Sequence, residues 1–329
     1  MKSYKGFTGE GQWYKGNLHS HTTVSDGMLR PEESVALYQK NGYNFLSLSE
    51  HDIYTDYGDT YNTDSFILLP SVEYSAMLYR DIGTGERYKV HHMHGLLGTK
   101  AMQEAAPEGL FHHLQYVPPM KFFRTWDGAQ AAQAMADMLA AHGCVVTYNH
   151  PIWSRVEGSE FMETQGPCML EVFNYNTVQE SNTGYDVTYW DQMLRKGRRM
   201  NGFASDDNHN EGLFEDSCGG WICVQAPALT HEDIITAILA GNYYSSAGPE
   251  IFDWGVKDGA AYVKCSPVNK VNFVAGNIVN DGISLLGKPC ADTLNGGTCA
   301  LKGHETYVRA EVTDKYGRTA WTNPLYLEW

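Results

Sequence analysis

The sequence has no uninterrupted apolar run long enough to cross a membrane, which takes about 18 residues, so no transmembrane helix is expected. It has no CxxC pair and no internal repeat, which excludes a zinc ribbon and a solenoid. The cysteines number seven, so free thiols in a reducing compartment are expected, with a pair between Cys290 and Cys299 as the alternative. Residues 1–12 lack the apolar segment of a signal peptide, and the expected location is the cytoplasm.

Basic residues are scarce compared with acidic ones: 24 Lys and Arg stand against 39 Asp and Glu, for a formal net charge of -15. An acidic surface repels phosphate backbones, so polymeric nucleic acid is not expected as a partner. A small phosphorylated substrate is compatible with this charge, because bound cations would dominate the local field. Hydrophobic residues make up 43% of the 329 residues, which is enough for a sizeable core, and the length suits one large domain plus a small one.

The segment 17–27 concentrates groups that bind metal ions, because it contains His19, His21 and Asp26. Two histidines separated by one residue point to the same face of an extended strand. Imidazole and carboxylate groups are the usual ligands of borderline divalent cations. The segment therefore predicts half of a metal site, in which a turn folds the carboxylate of Asp26 back towards the strand. A surface strand with two unrelated histidines is the alternative for this segment taken alone.

Further histidines and carboxylates follow the ends of successive predicted strands at 45–49, 66–72, 145–148 and 200–204. A helix that starts at Pro31 separates the first segment from the next strand. Strands alternating with helices, with polar groups after each strand, are the layout of an α/β barrel, whose sites lie at the C-terminal ends of the strands. The predicted metal ligands are His19, His21, Asp26, His51, Glu73, His94, His150, Asp207 and His209.

Nine such groups are too many for one cation, which takes about four to six ligands. We therefore predict two or three divalent cations, with Glu73 as a carboxylate that bridges two of them. Clusters of this kind catalyse hydrolysis, and we expect Glu73, His51 and Asp207 to be the catalytic residues. Asp207 is preferred to Asp206 because Asp207 and His209 share one side of an extended segment. On the strand before Leu96, His92 is the alternative to His94.

These motifs resemble those of the PHP family, the polymerase and histidinol phosphatase type of metal-dependent phosphoesterases. The resemblance lies in residues 18–27, 49–52, 72–74, 94–98, 149–151 and 206–209. It implies an α/β fold, a distorted (β/α)7 TIM-like barrel over residues 1–250, with a trinuclear site of Mn, Fe or Zn. Over residues 251–329 short alternating runs predict a small all-β, sandwich-like module. This tail is similar to the carbaryl-hydrolase-like branch, in which an asparagine often stands in the place of His94.

The function expected from these features is hydrolysis of a small phosphomonoester or a nucleotide by a metal-bridging hydroxide. Candidates for binding the phosphate are Arg80 and Arg155, with Arg124 as a third. One alternative is an ester, amide or carbamate hydrolase whose pocket is lined by Trp126, Trp153, Tyr54 and Tyr57. Another is a non-catalytic metal-binding or interaction protein. The expected partner is a small-molecule substrate and not a membrane, and the formation of a homo-oligomer is left open.

The number of ligands leads to a first prediction. Elemental analysis of protein purified without chelators should give two or three divalent cations per chain, because nine ligands exceed the coordination of a single ion. One cation per chain, after reloading with Mn, Fe or Zn, would contradict the prediction of a multinuclear site.

Overall fold

The structure is a computed structural model that describes residues 2–276 and 278–329, and strands greatly outnumber helices in it. The strands are β1 (Tyr4–Lys5), β2 (Gln12–Asn17), β3 (Phe45–Ser47), β4 (Ile53–Tyr54), β5 (Ile67–Leu69), β6 (Ser71–Asp81), β7 (Glu86–Leu97), β8 (Gln115–Tyr116), β9 (Met120–Phe123), β10 (Cys144–Tyr148), β11 (Met169–Asn174), β12 (Asn201–Ser205), β13 (Trp221–Ala226), β14 (Tyr243–Ser246), β15 (Ile251–Lys257), β16 (Ala260–Val268), β17 (Lys270–Ala275), β18 (Ile283–Leu286), β19 (Leu294–Ala300), β20 (Tyr307–Thr313), β21 (Thr319–Thr322) and β22 (Leu325–Tyr326). The helices are α1 (Pro31–Lys40), α2 (Lys100–Glu104), α3 (Gly128–Ala141), α4 (Tyr175–Ser181), α5 (Val187–Arg195) and α6 (His231–Leu239). The α/β class predicted from the sequence is confirmed.

The helices begin and end where their sequences signal it. The first turn of α1 holds Pro31 and two glutamates, which suit a helix N-terminus, and Asp127 caps α3 by accepting a hydrogen bond from the amide of Gln130 at 3.0 Å. Alanine and glycine make up most of the buried side of α3, so the helix packs closely on the neighbouring strands β7 and β10. None of the described helices has the length and apolar character that a membrane span requires.

Two sheets carry the predicted site residues. One has the strand order β12-β11-β10-β7-β6-β9, and the other has the order β18-β17-β20-β21-β14-β13-β2-β3-β5. Two isolated parallel bridges connect them, between Ser20 and Asn208 and between His51 and Glu73. The strand ends that carry site residues therefore surround one region, although the described residues form two linked sheets and not one closed barrel.

The pair β6 and β7 departs from a regular (β/α) barrel. Only residues 82–85 separate the two strands, which is too short for a crossover helix, and so they form a long antiparallel hairpin. Strand β7 also pairs antiparallel with β10. The alternation of strands and helices expected for a distorted (β/α)7 barrel is therefore interrupted at this hairpin, because residues 82–85 form a tight turn.

The segment after residue 250 is built of strands in the described residues, and these strands lie in two sheets. Strands β15, β16 and β19 join the N-terminal β1, whereas β17, β18, β20 and β21 extend the long sheet. An apolar core that includes Trp254, Val263 and Val312 fills the space between the two sheets. The long sheet continues across residue 250, because Ser245 of β14 pairs with Trp321 of β21. The division into domains at this residue stays a prediction.

Side chains of the C-terminal segment also reach into the rest of the molecule. The hydroxyl of Tyr307 donates a hydrogen bond to Asp191 at 2.6 Å, and the guanidinium of Arg309 lies 4.6 Å from the ring centroid of Trp190. Tyr307 and Arg309 are nearly fully buried. These contacts join β20 to α5, so the stability of the whole chain should depend on them.

Replacing Tyr307 with Phe should lower the free energy of unfolding by about 1–2 kcal/mol, since a buried hydrogen bond to a carboxylate is lost while the ring stays packed. Tyr316→Phe is a matched control, because Tyr316 is 72% exposed. Urea denaturation measures both variants. Equal midpoints for the two variants would show that the contact with Asp191 contributes nothing to stability.

Candidate metal centre

The nine predicted ligands lie at one end of the two sheets, in loops and strand ends that face each other. His19 and His21 follow β2, Glu73 lies in β6, and Asp207 follows β12. Ligand atoms lie within 4.8 Å of one another in each of four groups, which are His19–His21–Glu73–Asp207, His21–Asp26–His51–His209, His51–Glu73–His92 and His19–His150–Glu171. Eight of the nine predicted ligands belong to at least one group. The ninth, His94, lies beside them, with its ring centroid 4.2 Å from that of His19.

Glu73 connects the groups because its two carboxylate oxygens face different histidines. Oε1 lies 3.1 Å from Nε2 of His19 and 3.2 Å from Nε2 of His150. Oε2 lies 3.0 Å from Nδ1 of His51 and 3.4 Å from Nε2 of His21. The side chain is fully buried. A carboxylate whose oxygens serve two sets of nitrogens has the arrangement needed to bridge two cations.

Asp207 lies opposite Glu73, with Oδ1 3.0 Å from Nε2 of both His19 and His21. The backbone at Asp207 is left-handed, with φ of 56°, and that at His150 has φ of 25°. Such conformations cost a non-glycine residue roughly 1–3 kcal/mol and persist where the surroundings enforce them. The amide of Asp207 donates to the carbonyl of His19 at 3.0 Å, which holds the strained residue against the histidine pair.

Asp206, the alternative to Asp207, points away from the histidines. Its carboxylate accepts hydrogen bonds from the hydroxyl of Tyr38 at 2.6 Å and from the amides of Cys218, Gly219 and Gly220 at 2.7–2.8 Å. Burial raises the pKa of Asp206 to about 7. Asp206 therefore fixes the loop that follows β12, and Asp207 is the aspartate that the structure brings into the cluster.

The nitrogen and oxygen atoms of the cluster are arranged as ligands of a bound cation would be. Nε2 of His19, both ring nitrogens of His21, Oε2 of Glu73 and Oδ1 of Asp207 are buried without a hydrogen-bond partner among the described residues. These atoms approach one another to 3.0–3.4 Å, yet their directions do not suit N–H···O bonds. Buried polar atoms are normally satisfied. Lone pairs that converge on shared points are the arrangement that a divalent cation satisfies.

The electrostatics of the cluster favour added positive charge. Burial alone would raise the pKa of Glu73, but His19, His92 and His51 hold it well below its usual range. Burial lowers the pKa of His51, but the carboxylates of Glu73, Asp26 and Asp207 together outweigh burial and raise it to about 9. Burial and the neighbouring imidazoles His51 and His209 lower the pKa of His21 to about 4. The carboxylates thus stabilise a cation in their midst, and His21 is held in the neutral form that binds metal.

A second layer of polar groups orients the ligands. Glu171 lies 2.8 Å from Nδ1 of His19 and accepts a hydrogen bond from the amide of His150 at 2.9 Å. The amide group of Asn149 donates to Oε1 of Glu73 at 2.8 Å. When Nδ1 of His19 donates to Glu171, Nε2 keeps its lone pair for the cluster, and such outer partners fix both tautomer and ring orientation.

The group nearest to solvent contains Asp26, whose side chain is 53% exposed. Its carboxylate lies 3.6 Å from Nε2 of His51 and 3.5 Å from Nε2 of His209. The ring of His21 stacks against those of His51 and His209, at centroid distances of 4.3 and 4.4 Å. This side of the cluster opens into a cavity, so substrate can reach it directly.

Strand β7 brings His92 as well as His94 to the cluster, whereas the predicted ligand set contained only His94. His92 and His94 share the inner face of the strand, and Nδ1 of His92 lies 3.4 Å from Oε1 of Glu73. His91 faces the other way, where it stacks on Trp126 and contacts the hydroxyl of Tyr148. His92 lines the cavity, whereas His94 lies fully buried beside His19. The two-residue alternation of a strand is the signal that assigns both to the site.

The cavity in front of the cluster has a volume of about 370 Å³. Of the aromatic residues predicted to line a pocket, Trp153 does so, whereas Trp126, Tyr54 and Tyr57 pack elsewhere in the hydrophobic core. The remaining cavity residues include Met77, Phe214 and Arg87, none of which the sequence pattern indicated.

The arginines predicted to bind phosphate are not in this cavity. Arg80 lies beyond the irregular part of the β6–β7 pairing and forms an ion pair with Glu86 at 3.2 Å, outside the cavity. The assignment of Arg80 to the substrate stays a prediction. Arg155 lines a separate cleft beside the cavity, and Arg124 lines neither. Arg87 is the arginine that reaches the cavity.

Comparison with known proteins gives matches among solved structures only. No protein-family model matches this sequence, and neither does any curated protein. A crystal structure from Bacteroides vulgatus, of a two-domain protein with a predicted PHP-like metal-dependent phosphoesterase, matches with a TM-score of 0.46 and 13% identity over 97% of this chain and 98% of that one. A structure from Bifidobacterium adolescentis, designated as a metal-dependent phosphoesterase by prediction, matches with a TM-score of 0.32 and 17% identity over 60% of this chain and 88% of that one.

The first of these structures carries the designation of PHP-like phosphoesterases, the family that the motifs of this chain resemble. The narrower similarity to the carbaryl-hydrolase-like branch stays a prediction. The chemistry proposed below rests on the side chains of this chain.

Replacing Glu73 with Gln should separate the groups that the carboxylate connects. Added Mn²⁺ should raise the melting temperature of the wild type, because a ligand that binds only the native state stabilises it by about 2.7 kcal/mol at a hundredfold excess over Kd. Glu73→Gln should show a smaller rise and hold fewer cations. Glu108→Gln, on an exposed loop, is the matched control. A full metal complement in Glu73→Gln would contradict the bridging role.

Proposed function

We propose that the protein is a metal-dependent hydrolase, a phosphoesterase that acts on a small phosphomonoester or a nucleotide. The observation that carries the proposal is the buried carboxylate of Glu73, whose two oxygens face two different sets of histidines. Such a bridge suits two or three divalent cations, with Mn, Fe or Zn as the candidates. The predicted ligand set, extended by His92, is part of the proposal.

Cations in this position would polarise the phosphoryl group and lower the pKa of water to near neutrality. The residues of the chain supply the rest. Glu73 and Asp207 hold opposite sides of the cluster, and Glu171 and Asn149 keep the ligands oriented. His51, Asp207 and His209 border the cavity and therefore touch whatever occupies it. Substrate approaches from the side of Asp26, which is the open side.

The cavity limits the size and charge of the substrate. A volume of about 370 Å³ lies at the small end of ligand pockets. Among the described residues that line it, Arg87 is the single Lys or Arg, whereas carboxylates come from several loops. These carboxylates repel a polyanion, which favours a small substrate over polymeric nucleic acid. The formation of a homo-oligomer stays a prediction.

Hydrolysis of a carboxylic ester, amide or carbamate is the second candidate. Met77, Trp153 and Phe214 give the cavity an apolar wall, which would suit an uncharged leaving group. The metal cluster can polarise a carbonyl as well as a phosphoryl group. The two candidates differ in the charge of the substrate, so paired model substrates separate them. Loss of both activities would leave a non-catalytic metal-binding protein.

Protein stripped of metal and reloaded with Mn, Fe or Zn should cleave p-nitrophenyl phosphate much faster than p-nitrophenyl acetate. His51→Ala should lower kcat/KM by more than about 100-fold, since loss of a ligand exceeds the 10–100-fold cost typical of outer-layer changes. His113→Ala, on an exposed loop outside the cluster, should stay close to the wild type. Faster cleavage of the acetate would favour the second candidate.

A further inference from the structure

A second cleft adjoins the cavity of the candidate metal centre and differs from it in charge. It has a volume of about 280 Å³ and is formed by residues 85–90 of the β6–β7 hairpin together with residues 153–155. Arg87 and Trp153 line both the cavity and the cleft, so the two spaces share a wall. A substrate bound in the cavity can therefore extend past Trp153 into the cleft.

The cleft contains two positive charges that the described residues do not neutralise. Lys89 pairs with Glu160 at 2.7 Å, and Glu86 pairs with Arg80 at 3.2 Å, so these charges are compensated. The side chains of Arg87 and Arg155 form no ion pair or hydrogen bond with any other described residue. The chain has a net charge of -15, so two unpaired guanidinium groups beside a carboxylate-rich site form a local positive region.

The floor of the cleft is connected to the metal centre by hydrogen bonds. The hydroxyl of Ser154 lies 3.1 Å from Nδ1 of His150, and the carbonyl of Ser154 accepts from the amide of Val90 at 3.1 Å. The indole of Trp153 donates to Glu180 at 2.7 Å, and its ring centroid lies 5.1 Å from that of His150. The turn that carries Arg155 is thus held in a fixed relation to a predicted ligand.

We propose that this cleft is an anion subsite, and that the substrate carries a second anionic group, phosphate or carboxylate, remote from the ester that is cleaved. The proposal rests on the proposed function and narrows its substrate class. Arg155 binds the remote anion, and Arg87, at the shared wall, lies between the two anionic ends. Trp153 contacts the part of the substrate that connects them.

The division of charge supports separate roles for the two spaces. Imidazoles and carboxylates in the cavity are ligands for cations, and cations at the centre neutralise the phosphate that is cleaved. No cation is needed for an anion in the cleft, because a guanidinium offers a planar pair of donors that matches phosphate and carboxylate. Charge-assisted hydrogen bonds of this kind are stronger than neutral ones, so the remote anion should raise affinity measurably.

The test compares three substrates on the Mn-loaded protein by phosphate release: butyl phosphate, 1,4-butanediol bisphosphate and 4-(phosphonooxy)butanoate. The wild type should show a kcat/KM about tenfold or more higher for at least one two-anion substrate than for butyl phosphate, as expected for one charge-assisted contact. The better of the two identifies the remote group as phosphate or carboxylate. Arg155→Ala should lose most of this preference, and Arg155→Lys should keep part of it. Arg195→Ala, at an exposed position at the end of α5 and outside the cleft, is the control.

Each outcome bears on one proposal. Equal kcat/KM values for the three substrates, unchanged in Arg155→Ala, would overturn the subsite and leave the phosphoesterase proposal intact. Absence of phosphate release from all three would overturn the phosphoesterase proposal instead. In that case the subsite is tested by calorimetry with butane-1,4-bisphosphonate and butylphosphonate. Tighter binding of the bisphosphonate that depends on Arg155 supports the subsite, and equal affinities overturn it.

Discussion

The structure depends on the burial of one carboxylate, that of Glu73, among imidazoles. An isolated charge in a medium of low dielectric constant would cost tens of kcal/mol, so a buried carboxylate persists only with close compensation. Here the compensation comes from His19, His51, His92 and His150, which reach Glu73 from separate segments of the chain. The strand ends converge at this point because each of them supplies part of that compensation.

The two adjacent aspartates after β12 have different roles: Asp206 holds the loop in place, and Asp207 faces the histidines. Asp206 accepts hydrogen bonds from Tyr38 and from three consecutive amides, which fixes the loop. This leaves the next residue, Asp207, in a left-handed conformation that aims its carboxylate at the histidines. The strain at Asp207 is thus supported by the satisfied polar groups of Asp206, and substitution of either residue should disturb the same cluster by a different route.

The sequence predicted the candidate site better than it predicted the path of the chain. Alternation along a strand is a local property, so the pairing of His19 with His21 could be read from spacing alone. The preference for Asp207 over Asp206 assumed an extended segment, whereas the left-handed backbone of Asp207 is what aims its carboxylate at the histidines. The antiparallel direction of β7 depends on a tight turn at 82–85, and the strand pattern by itself is the same for both directions. Arg87 could not be found in this way, because its position beside Trp153 depends on the folding of two distant segments.

The pairing of β2 has a consequence for the order in which the parts of the protein fold. Strand β2, which leads into His19 and His21, lies between β3 and β13, and its partner residues in β13 are Ile222 to Ala226. Contacts so distant in sequence form late, because the intervening chain must be closed into a loop first. Strand β2 can therefore pair with β13 only after residues 221–226 are available. Until then His19 and His21 lack Asp207 as well, so the two halves of the cluster come together in one late folding step.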